Sequence, residues 1–139
     1  MALPKFYGGA LIWAPKPNHG GILMALFQPE DDTGAIHPGL SVQLEVNVPL
    51  VVDRCRYEFG LFKLEGGVRK RAYQIAVTPK GKRSHNSPSG TIYGPHEHIG
   101  DQVSAVVADE IECGNMEPPF VHFCRRINLT FTGKANFPI

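Results

Sequence analysis

Three of the six histidines in this 139-residue chain, His85, His96 and His98, fall within a span of 14 residues. They sit in Ser84-His85-Asn86-Ser87-Pro88-Ser89-Gly90 and in Gly94-Pro95-His96-Glu97-His98-Ile99-Gly100-Asp101. Imidazole exchanges protons near neutral pH, and its neutral form is a common metal ligand. Side chains on a strand repeat every two residues, so His96 and His98 share one face and Glu97 takes the other. Three readings fit the cluster. In the first, His96 and His98 are the acid-base pair of a metal-independent ribonuclease, with His85 as auxiliary. One imidazole takes the 2′-hydroxyl proton, the other protonates the leaving 5′-oxygen, and nearby cations hold the phosphate. In the second, His96 and His98 present two ligands to a divalent metal, and Asp101 is the third if Gly100 turns the chain back. In the third, the histidines hydrogen-bond backbone in a turn-rich segment and do no chemistry.

The cations such chemistry needs lie just upstream. Residues 54–83 hold nine basic side chains against Glu58 and Glu65, whereas residues 84–124 hold six acidic side chains and no Lys or Arg. A formal charge of +1 therefore conceals a block of +7 followed by one of −6. Concentrated positive charge suits a phosphate-binding face, which marks Arg69, Lys70, Arg71, Lys82 and Arg83 as nucleic-acid-contacting residues. The same blocks suit docking on a protein partner, or neutralise each other across the fold or between the subunits of a homodimer.

These side chains must be positioned by strands. Ser41 to Val48 alternates cleanly, with Val42, Leu44, Val46 and Val48 on one face. Arg54 to Glu65 repeats the pattern through Cys55, Tyr57, Phe59 and Leu61. Gly66-Gly67 is a two-residue hairpin signal. The return strand, Val68 to Thr78, turns Tyr73, Ile75 and Val77 inward. Ala10 to Ala14 and Ile22 to Phe27 read as short buried strands, and Pro79 to Gly90 as a long polar turn. Thr91 to Ile99 reads as one further strand. Pro118-Pro119 opens a helix whose stripe is Phe120, Phe123, Cys124 and Ile127, and Leu129 to Thr132 can close the chain as a strand.

Twelve prolines and 15 glycines argue against a helical bundle, and the length suits one domain, residues 1–139. The expected fold is α+β, mostly antiparallel: a twisted sheet or half-open barrel of about six or seven strands with one C-terminal helix. No stretch approaches the roughly 18 to 20 apolar residues of a membrane helix. Cys55, Cys113 and Cys124 are odd in number and lack CxxC spacing, which fits thiols in a reducing cytoplasm. Gly20-Gly21 has no helix behind it, and no nucleophile elbow is present. The one cofactor these residues suggest is a divalent metal.

The run Tyr73 to Asp101 resembles a family of small, largely uncharacterised prokaryotic proteins with the signature H-x-N-P-x-G, a short gap, then G-x-H-x-H. His85, Pro88 and Gly90 match the first half, with Ser87 in place of Asn; Gly94, His96 and His98 match the second. Phe120 to Ile127 is similar to that family's closing amphipathic helix. Gln74-Ile75-Ala76-Val77 stands where the family often has an aspartate, and Gly100-Asp101 where it tends to have an aromatic. The resemblance implies a toxin-like, phage or defence-related protein acting on nucleic acid, either as an RNase or as a non-enzymatic inhibitor or antitoxin-like module. The metal reading is similar instead to a cupin-like barrel, where His-x-His on a strand supplies the first two ligands and His122 is a looser further candidate. The cupin pattern wants Glu at the position of Asp101 and a glycine-rich second motif that is not intact here.

Overall fold

The structure, a computed structural model, describes residues 1–48, 54–87 and 90–139, so Pro88 and Ser89 of the histidine segment lie outside the described residues. The sheet is built on the alternating segments. Strand β4 (Leu40–Asn47) pairs antiparallel with β5 (Tyr57–Glu65), and β5 with β6 (Val68–Val77). Gly66 and Gly67 both take positive φ at the tip between β5 and β6, a conformation glycine adopts without a steric cost. Val42, Leu44 and Val46, then Tyr57, Phe59 and Leu61, then Tyr73, Ile75 and Val77 are buried on one face. Strand β3 (Ile22–Phe27) adds beyond β4, followed by the two-residue β2 (Ala14–Pro15).

Helix α1 (Glu117–Arg126) covers that apolar face. Pro118 and Pro119 occupy its first turn, where a missing N–H costs nothing, and Arg125 and Arg126 complement the dipole in its last turn. Phe123 meets Phe59 and Tyr73 at ring-centroid distances of 6.1 and 6.0 Å. Phe120, Phe123 and Ile127 of the expected stripe are buried, and Cys124 is half-buried. The helix leads into β11 (Leu129–Phe131), which pairs in parallel with β1 (Lys5–Tyr7). The ammonium of buried Lys5 donates to the Ile127, Leu3 and Met1 carbonyls at 2.6, 2.7 and 3.0 Å, fastening the first strand to the helix end.

Beyond β6 the sheet continues not with the next strand in sequence but with β9 (His96–Ile99) and then β10 (Gln102–Ala105). The seven-stranded order is β10-β9-β6-β5-β4-β3-β2, antiparallel and not closed into a barrel. Between β6 and β9 the chain makes a separate hairpin of β7 (Arg83–Ser87) and β8 (Gly90–Tyr93). No helix among the described residues is long and apolar enough to cross a membrane.

Four expectations are corrected. The Pro79 to Gly90 turn contains β7, whose polar residues pair through backbone and need no apolar face, and Thr91 to Ile99 breaks at Gly94 into β8 and β9. Of Ala10 to Ala14 only Ala14 enters a strand; the Leu11 N–H and the Trp13 indole N–H instead donate to Lys134 and Ala135 of the C-terminal tail, at 2.8 and 2.9 Å. Cys55 and Cys113 form a disulfide across 58 residues, which removes the free-thiol argument for a reducing compartment and leaves Cys124 free.

Candidate functional site

The face of the sheet opposite α1 is open, and the β7–β8 hairpin folds over one end of it to make a cleft of about 510 Å³. His96 and His98 project from β9 into this cleft, and His85 enters from β7. Ring centroids lie 5.1 Å apart for His96–His98, 5.5 Å for His85–His98 and 5.8 Å for His85–His96. One ligand nitrogen from each ring lies within 4.8 Å of the others.

Local sequence explains the convergence. In register, Ala76 faces His96 and Gln74 faces His98, so a small side chain leaves room beside the first imidazole. Gly94, between β8 and β9, has φ +75°, and a Cβ there would stand 2.9 Å from the Lys80 Cα. Its N–H donates to Lys82 at 2.8 Å, tying the hairpin base to the strand that carries the histidines. A shift in register at Ser84 of β7 aims His85 inward, and the Ser84 hydroxyl donates to the Gly94 carbonyl at 2.7 Å.

His96 and His98 are buried. Burial, then the charge of Arg71, then the neighbouring imidazoles push His98 down to about 4. Burial also lowers His96, partly opposed by the Gly94 carbonyl. Both rings are therefore neutral at pH 7 and present lone pairs. The His96 Nδ1 lies 3.3 Å from the Gly94 carbonyl, which only accepts, so Nδ1 carries the proton and Nε2 the lone pair.

Glu97 takes the other face, as the period of two requires. Its carboxylate accepts from the Tyr73 hydroxyl at 2.6 Å and from Arg126 at 3.2 Å, and lies 3.4 Å from the His122 Nε2. Burial pushes its carboxyl up, but the bonds from Tyr73 and His122 and the charge of Arg126 outweigh this and hold it below the usual range. His122 is thus on the helix side of the sheet, across from the three imidazoles, and is no partner to them. Asp101 is exposed in the turn between β9 and β10 and stands outside the group of close ligand atoms; the third member is His85.

The basic residues divide. Arg71, Lys82 and Arg83 line the cleft. A register shift between Leu61 and Phe62 of β5 places Phe62 opposite Arg71 and leaves Ala72 as the extra residue on β6. Without it, alternation from buried Tyr73 would send Arg71 to the helix side. Arg69 lies instead 3.9 Å over the Phe62 ring, and Lys70 pairs with Glu65 at 3.6 Å, both outside the cleft. Arg54, Arg56, Glu58 and Thr78 also line it and escaped the sequence reading. Alternation along β5 already turned Arg56 and Glu58 away from the apolar face; what it lacked was the strand order that makes theirs the histidine face. Arg56 is paired with Glu58. The buried Thr78 hydroxyl oxygen has no hydrogen-bond partner among the described residues.

Comparison with protein-family models, with curated proteins and with solved structures found no match to this chain.

Proposed function

We propose that the cleft is a hydrolytic metal centre, in which His85, His96 and His98 hold one divalent ion and the cationic wall receives a phosphodiester of nucleic acid. The observation that carries this reading is the approach of three ligand nitrogens to within 4.8 Å of one another. A tetrahedral ion with metal–nitrogen bonds near 2.1 Å brings its nitrogens to about 3.4 Å, a change that side-chain rotation can supply. Three nitrogen ligands leave further coordination positions facing the cleft, the arrangement of catalytic rather than structural sites. An ion held there supplies Lewis acidity and lowers the pKa of water. Hydrolysis forms a bond from the water oxygen to phosphorus, breaks the bond from phosphorus to the leaving oxygen, and delivers one water proton to that oxygen. Arg71, Lys82 and Arg83 stand where the charge of the phosphate must be met.

Protein stripped with a chelator and reloaded with Mn²⁺, Co²⁺ or Zn²⁺ is incubated with an RNA oligonucleotide and with a chromogenic phosphodiester. Cleavage is expected after reloading, and is expected to be absent from the stripped protein and from His98→Ala. Cleavage that survives stripping returns the chemistry to a metal-free histidine pair. Intact substrates under every ion reject hydrolysis.

A further inference from the structure

We infer that this cleft takes up its metal ion and a phosphate-class oxyanion together, each raising the affinity for the other, with Arg71 coupling the two. The inference rests on the metal reading above and concerns how the same site is loaded. Metal sites are commonly balanced by carboxylates, yet among the described residues no Asp or Glu joins the three histidines. Among the described residues, the wall carries Arg54, Arg56, Arg71, Lys82 and Arg83 against the carboxylate of Glu58, a net of +4. Glu58 is engaged by Arg56. The partner of Arg71 is the neutral Gln74 amide at 2.9 Å, and Gln74 is the register neighbour of His98. Arg54, Lys82 and Arg83 have no carboxylate partner among the described residues.

A divalent ion entering this wall meets like charge at close range, so its affinity is held down while the cleft has no anion. An oxyanion that reaches both the ion and the Arg71 guanidinium cancels that repulsion and adds charge-assisted hydrogen bonds. Linkage is reciprocal: whatever factor the anion adds to metal affinity, the metal adds to anion affinity.

The test follows Co²⁺ binding by its visible spectrum in a non-coordinating buffer, alone, with inorganic phosphate, and with a dinucleotide whose only phosphate is a diester. Phosphate is expected to tighten the Co²⁺ Kd by about ten-fold or more, within the usual range of coupling. Equal tightening by the dinucleotide identifies an internal phosphodiester as the natural source, whereas tightening by inorganic phosphate alone identifies a terminal or free phosphate. In Arg71→Gln the anion-free Co²⁺ Kd is expected to be tighter than in the wild type, and the enhancement to fall below about two-fold. Lys70→Gln, outside the cleft, should keep the full enhancement. A Co²⁺ Kd that neither anion moves overturns the coupling while leaving the metal centre standing. Failure to bind Co²⁺ in every arm overturns the metal centre itself.

Discussion

Removing the Glu97 carboxylate tests the link between the helix and the strand that carries His96 and His98. The Tyr73 ring is fully buried, and its hydroxyl donates to Glu97 at 2.6 Å. Glu97→Ala leaves that hydroxyl proton without its acceptor in the core, a cost of about 1–3 kcal/mol. The partly exposed Arg126 and His122 lose their carboxylate partner, worth about 0–1 kcal/mol each because solvent screens them. The expected destabilisation is therefore about 1–5 kcal/mol. Glu97→Gln keeps an acceptor for Tyr73 and surrenders only charge, about 1 kcal/mol. Combining Tyr73→Phe with Glu97→Ala deletes both partners, so the double variant should lie closer to the wild type than the sum of the single changes. Guanidinium unfolding of the wild type, the three single variants and the double variant reads these differences directly. The reasoning is refuted if Glu97→Ala and Glu97→Gln unfold at the same midpoint, or if the two single losses simply add.

Two further outcomes concern acidity and the disulfide. An unfolded histidine protonates near 6.5, whereas folded His98 stays neutral down to about 4, so the unfolded chain binds the extra proton first. Stability is then complete above pH 6.5 and declines as pH falls toward 4, and Glu97, held below 4.5, adds to the loss beneath that value. Unfolding midpoints at about pH 7.5 and pH 5 should show the decline, and His98→Gln should flatten it; a midpoint that rises on acidification contradicts the assignment. Closing the 58-residue separation between Cys55 and Cys113 constrains the unfolded chain by about 4 kcal/mol. Thiol titration of denatured, unreduced protein should find Cys124 alone, and three reactive thiols would contradict the pairing.

What could be read in advance followed the range of the signal. Val42, Leu44 and Val46 alternate within one strand, and Phe120, Phe123 and Ile127 repeat within one helix, so short windows disclosed both faces. The shared face of His96 and His98, and the opposite one of Glu97, came from the same period of two. His85 joins them only because β9 pairs with β6 and the intervening hairpin returns over the sheet, a matter of strand order that no window contains. The hairpin was hidden for a second reason: Arg83 to Ser87 is polar throughout, and its pairing rests on backbone bonds. Arg71 reached the histidines through one extra residue at Ala72, which inverts the alternation that short-range reading relies on. The partnership of Cys55 with Cys113 is likewise tertiary.

The central claim is that His85, His96 and His98 share one ion, and counting bound Co²⁺ against single alanine substitutions tests it most directly. Saturable binding of one ion per chain is predicted, weakened by about a hundred-fold or more in each of His85→Ala, His96→Ala and His98→Ala. Asp101→Ala, in the exposed turn outside the cluster, should bind as the wild type does. Unchanged affinity in His85→Ala, or the absence of saturable binding in the wild type, would contradict the account.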